Sequence, residues 1–137
     1  MYLLPPGAIL RRVALRCLIV DDNGGFRDAA RSLLEREEIE VVGVASNSAE
    51  ARSLVAELHP EVVLIDIALG PDSGFDLART LAREGGPKLI IISTLPEVDF
   101  IDLIAASPAV GFIAKSELSA RAVRELVADD DARRARR

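Results

Sequence analysis

Cysteine occurs once in this chain, at Cys17, so no disulfide can form within it, and a reducing cytoplasm is its expected setting. The residue lies in the apolar run 17–20, where it reads as part of a buried strand and not as a reactive thiol. Long hydrophobic runs are missing as well, and no stretch approaches the ~20 apolar residues that a membrane-spanning helix needs. The apolar start, residues 1–10, is broken by Pro5, Pro6 and Gly7. Arg11 and Arg12 follow it, whereas a signal peptide carries its positive charge first. Basic residues are in deficit, 17 Lys and Arg against 22 Asp and Glu, for a net charge of −5. That balance argues against direct DNA binding, which calls for a clustered basic face. Histidine is single too: His59, just before Pro60, reads as the end of a helix, not as a catalytic base.

What is present is a globular composition, 50% hydrophobic and 28% charged, over 137 residues, which suits one compact domain. Apolar runs rich in β-branched residues recur at 17–20, 41–45, 62–67 and 89–92, with a further short one at 110–114, and each reads as a buried strand. Between them the apolar residues take helical spacing: Phe26, Ala29, Ala30, Leu33 and Leu34, then Ala51, Leu54, Val55 and Leu58. A third set, Phe75, Leu77, Ala78 and Leu81, stops at Gly85, Gly86 and Pro87. Two more helices are expected over 97–106 and 116–128. Five strands alternating with five helices predict an α/β, doubly wound parallel sheet, because parallel strands need helical crossovers on both faces.

In such sheets the ligand crevice lies beyond the carboxyl ends of the strands. Asp21 and Asp22 follow the first run, Asp66 ends the third, Ser93 and Thr94 the fourth, and Lys115 the fifth. Three gathered carboxylates repel one another unless a divalent cation sits among them, and Mg²⁺ suits an all-oxygen donor set. A lysine and a hydroxyl beside them fit phosphoryl oxygens. Each residue also has a plainer reading: the acidic pair as a helix cap, Asp66 as a turn residue, Lys115 as a solvated cation, Ser93 as a strand-end hydroxyl. Their joint placement at successive strand ends favours phosphoryl chemistry.

The stretches CLIVDDN, VVLIDIALGPDSGFDL (an aspartate with glycine eight positions on), LIIIST and GFIAKSEL, in this order, resemble the receiver domains of two-component response regulators. The resemblance spans residues 15–127 and implies a flavodoxin-like strand order of 2-1-3-4-5. It implies that Asp66 is the phosphoacceptor, with Mg²⁺ held by Asp22, Asp66 and the main-chain oxygen of Ala68, and by Asp21 through a water. Lys115 takes the position of the lysine that contacts the phosphoryl group. Ser93 matches the hydroxyl that turns toward it, and Phe112 the aromatic switch that follows that hydroxyl, although an aromatic flanked by Val110 and Ile113 also reads as core. The implied donor is a sensor histidine kinase or a phosphotransfer protein. The implied output is binding to a partner protein, or homodimer formation, through the fourth helix, fifth strand and fifth helix, with no turnover of a free substrate as in an enzyme.

A pseudo-receiver that keeps the fold and ignores phosphate is the main alternative. A phosphatase with an aspartate nucleophile is disfavoured, because such enzymes carry a second aspartate where Ala68 stands. Two positions depart from the family pattern. Gly70 precedes Pro71 where the family has its proline one residue earlier, and Ser116 follows Lys115 where the family has a cis proline, leaving that bond cis or trans. The chain is expected to divide into an N-terminal tail, residues 1–14, disordered or absent if translation starts at position 13; a receiver domain, residues 15–128; and a charged, solvated tail, residues 129–137.

Overall fold

The computed structural model describes residues 14–136, and the N-terminal segment expected as a tail lies almost wholly outside them. Five strands, β1 (Arg16–Val20), β2 (Glu40–Ala45), β3 (Val62–Asp66), β4 (Lys88–Ser93) and β5 (Gly111–Ala114), pair in parallel in the order β2-β1-β3-β4-β5. Side chains alternate across the sheet, so Cys17 and Ile19 enter one core while Leu18 and Val20 enter the other. Helices cover both faces, which is why β3 is buried at every position and reads as an unbroken apolar run.

One core packs α1 (Gly24–Arg36) and α5 (Ala120–Ala135) against the sheet, through Ala30, Leu34, Ala120 and Val123. The other packs α2 (Ser48–Leu58) and α3 (Gly74–Glu84), through Ala51, Phe75, Leu77, Ala78 and Leu81. Asn23, Asn47, Ser73 and Ser119 cap these four helices with side-chain oxygens on first-turn amides. The remaining helix, α4 (Ile101–Ala106), follows a 3-10 turn (Glu97–Phe100), and neither segment has a side-chain cap or a buried residue. The expected continuous helix over 97–106 is therefore two short pieces.

The last helix departs further from expectation. Lys115–Glu117 form a 3-10 turn, Ser119 caps, and α5 runs from Ala120 to Ala135 instead of ending at residue 128. Residues 129–135 thus continue the helix, solvated as expected at every position except Asp130. Asp130 is 8% exposed and its Oδ2 lies 2.5 Å from Lys88 Nζ at the start of β4 and 2.7 Å from Arg134 Nε. This pairing ties the extension of α5 to the start of β4.

The Lys88 hydrogen bond, aided by Arg134 and opposed by burial, holds the Asp130 carboxyl down at about 2. An unfolded aspartate titrates near ~3.9, so this stabilisation is complete above pH ~5 and fades as the pH falls toward 2. Lys88 also faces Asp131 Oδ1 at 2.8 Å, so two aspartates share one ammonium and the Asp130 pair is worth about 1–2 kcal/mol. Asp130→Asn is expected to lower unfolding stability by that amount at pH ~7 and to close the gap to the native chain near pH ~2. Urea titrations at both pH values check it, and a gap that persists in acid would refute the assignment.

Candidate metal and phosphoryl site

β1 delivers Asp21 to the carboxyl edge of the sheet, where its amide donates to the Ala45 carbonyl of β2 at 3.0 Å. Its Oδ1 accepts the Asn23 amide at 2.8 Å, and Asn23 Oδ1 in turn accepts the Phe26 amide at 2.9 Å. The capping role open to the acidic pair therefore falls to Asn23, and neither aspartate is spent on the helix. Asp21 is fully buried, whereas Asp22 is exposed.

Asp66 ends β3 with its side chain 11% exposed, Oδ1 accepting the Ala68 amide at 3.3 Å. The chain then turns through a two-residue antiparallel ladder, Ala68–Leu69 against Asp72–Ser73, closed by Gly70 and Pro71. Gly70 has φ +66, the positive value that the first central position of a type II′ connection requires, and proline's fixed φ suits the second. The displaced proline is accommodated by this turn. Gly74 then brings the start of α3 against the strand end: its amide donates to the Ile67 carbonyl at 2.8 Å, and a Cβ here would lie 2.0 Å from the Asp66 carbonyl oxygen. The glycine eight positions after the aspartate thus has a steric reason.

Lys115, just past β5, places its Nζ 2.5 Å from Asp21 Oδ2 and 3.1 Å from Asp66 Oδ2. The bond to Ser116 is trans, so the lysine reaches both carboxylates without a cis turn. Only the Asp66 contact has hydrogen-bond direction. Asp21 Oδ2 is paired by charge but receives no hydrogen bond, an orphaned buried oxygen. One carboxylate oxygen from each of Asp21, Asp22 and Asp66 lies within 4.8 Å of the others. Three carboxylates around a single lysine make an all-oxygen set with negative charge to spare, which fits a hard divalent cation such as Mg²⁺.

Burial, then the Asp21 charge, raises the Asp66 pKa above the ordinary carboxylate value, against the pull of Lys115 and the Ala68 amide. Burial works against the Lys115 charge too, but its close pairing with Asp21 and its hydrogen bond to Asp66 outweigh it and raise the ammonium's pKa. The pocket therefore gathers more negative charge than its one lysine relieves.

Two expected members make other contacts in this structure. Ser93, buried at the end of β4, accepts the Leu95 amide on its Oγ at 3.0 Å, so its hydroxyl is engaged in its own turn. Phe112 on β5 is half-buried and packs on the core beneath α2 and α3, as the plainer reading of it has it. Sequence reasoning missed three residues. Asn23 is the cap; Phe26 lies under Lys115, its ring centroid 4.4 Å from Nζ; and Arg27 donates from its guanidinium to the Asp21 carbonyl at 2.6 Å. Asn23 was legible as a cap residue three positions before Phe26, had the aspartates not competed for the role.

A parallel sheet of order 2-1-3-4-5, with three carboxylates and a lysine where its strands end, defines a flavodoxin-like domain with an acidic pocket. The family model for the response regulator receiver domain matches residues 17–128, and the chain belongs to that family. The signal receiver domain of NarL from Mycobacterium tuberculosis is similar in structure, with a TM-score of 0.73 at 25% identity over 82% of this chain and 94% of that one. A protein-glutamate methylesterase/protein-glutamine glutaminase of Burkholderia thailandensis is 33% identical over 111 residues, covering 79% of this chain and 31% of that protein. The transcriptional regulatory protein LiaR of Bacillus subtilis is 29% identical over 108 residues, covering 77% of this chain and 51% of that protein. The chain thus spans about a third to a half of the length of these curated relatives. Among the described residues no helix is long and apolar enough to cross a membrane.

Proposed function

We propose that this receiver domain accepts a phosphoryl group on Asp66 from the phosphohistidine of a sensor kinase or phosphotransfer protein, in the cytoplasm, and signals through protein contacts. The observation that carries the reading is the Lys115 ammonium shared between Asp21 and Asp66, beside a buried oxygen that has no hydrogen bond. A carboxylate oxygen of Asp66 attacks phosphorus, the bond from phosphorus to the donor imidazole breaks, and that imidazole leaves with the electron pair and takes up a proton. Lys115 is placed to stabilise the negative charge spread over the phosphoryl oxygens, and Asp21 holds Lys115 in place before transfer. Asp22, Asp66 and the main-chain oxygen of Ala68, with Asp21 through a water, would hold Mg²⁺, which when bound supplies further positive charge to the same oxygens.

Ser93 becomes a phosphoryl contact by releasing the Leu95 amide, and Phe112, at the rim of the core, follows. The response is displayed on α4, β5 and α5, as a contact for an output partner or a second copy of the chain. The exposure of Ile101 and Leu103 on α4, 54% each, with Leu95 and Val98 exposed just before it, supports that choice of face. No reaction on a free substrate is assigned.

Incubation with Mg²⁺ and a small phosphodonor, followed by intact mass, tests the reading. One added phosphoryl group is expected on the native chain and none on Asp66→Asn. No adduct on the native chain would leave a phosphate-blind interaction module, and steady release of phosphate would indicate an enzyme.

A further inference from the structure

We propose that Phe26 is a positioning residue for Lys115, acting through the face of its ring and not through contact with the phosphoryl group. The inference rests on the phosphoacceptor reading above and adds a residue to it.

Lys115 Nζ sits 4.4 Å from the Phe26 ring centroid, 2.5 Å from Asp21 Oδ2 and 3.1 Å from Asp66 Oδ2. An ammonium within ~6 Å of an aromatic centroid is attracted by the ring quadrupole, more strongly where water is excluded. Here the lysine side chain is 11% exposed. Lysine is flexible, and Lys115 begins a 3-10 turn followed by an exposed Ser116, so contacts made by the ammonium must fix its place.

Of its three partners, the two carboxylates change during the reaction. Asp66 loses its charge as it becomes an acyl phosphate, and both carboxylates are shared with any cation in the pocket. The ring neither titrates nor binds the cation, so its attraction persists through the transfer. Phe26 is itself well anchored: its amide is the one that Asn23 caps at 2.9 Å, and its side chain packs on the core that α1 shares with α5. An aliphatic residue would fill that core position equally well. What it would not offer is a surface for the ammonium.

Phe26→Leu keeps the apolar bulk and removes the ring. On the full chain with Mg²⁺ and acetyl phosphate, followed by intact mass over time, it is expected to slow phosphoryl uptake about fivefold, with Phe26→Tyr restoring the rate. In a Lys115→Ala background the Leu substitution is expected to have no further effect, because Phe26 acts through Lys115. By nuclear magnetic resonance, the methylene protons next to Lys115 Nζ are expected to be shifted upfield in the native chain and to lose that shift in Phe26→Leu. An equal slowing in the Lys115→Ala background, failure of Tyr to restore the rate, or unshifted native methylene protons would each overturn the proposal. If the native chain takes up no phosphoryl group, the phosphoacceptor reading fails by itself, and the methylene shift still decides whether the ring holds Lys115.

Discussion

Gly74→Ala is expected to cost the domain about 3 kcal/mol or more and to displace Asp66, with phosphoryl uptake falling alongside stability. The added Cβ would meet the Asp66 carbonyl oxygen at 2.0 Å, its carbon at 2.9 Å and the Ile67 Cα at 3.0 Å. All three are backbone atoms and cannot rotate aside, so α3 must withdraw from β3 or the strand end must bend. Either movement shifts the main chain that carries the acceptor and opens the core lined by Phe75, Leu77 and Ala78. Gly24→Ala is the control, since its Cβ would meet only the tip of Arg27 at 3.4 Å. Urea titration of both variants checks the contrast, and a Gly74→Ala variant within about 0.5 kcal/mol of native would show that the wedge yields cheaply.

Lys115→Met is the second large effect, expected to cost about 2–3 kcal/mol when divalent cations are chelated and much less when Mg²⁺ is in excess. Removing the ammonium leaves Asp21, fully buried, and Asp66, 8% exposed, without a positive partner. A cation bound among the same carboxylates restores the balance, so stability becomes strongly dependent on Mg²⁺. Asp66→Asn is expected to do the reverse. It removes the charge that burial and Asp21 disfavour, keeps the Lys115 pair with Asp21, and should raise stability without Mg²⁺. Denaturation with and without a chelator measures all three chains. A Lys115→Met chain as stable as native under chelation would mean the carboxylates do not depend on that charge.

Much of this was legible because the strands are buried on both faces. Residues 17–20, 62–67 and 89–92 announce themselves as apolar runs, and polar residues at their ends then have one common edge to occupy. Asp21, Asp22, Asp66 and Lys115 come together as their order implies. What escaped depended on distance in sequence or on competing explanations. Asp130 reads as one charge in an acidic run until Lys88, 42 residues earlier, is brought beneath it. Phe26 was absorbed by the apolar periodicity of α1, which accounts for its side chain without asking what lies over the ring. Gly74 carries no side chain from which its role could be read, and only the three-dimensional approach of α3 to β3 shows why nothing larger fits. Ser93 ends β4 as the apolar run implies, but the direction of a hydroxyl is set by local turns that spacing does not encode.

The sparse anchoring of α4 gives the domain one stiff flank and one compliant flank. Asp66 is wedged by Gly74 and gripped by Lys115, whereas from Glu97 to Ala106 no side chain is buried and no cap secures either short piece. A segment with so few buried contacts opens at a fraction of the free energy needed to unfold the whole. If Asp66 takes up the charge proposed above, the strain would be absorbed where resistance is lowest, downstream of Ser93, so the direction in which the molecule yields would be built in beforehand.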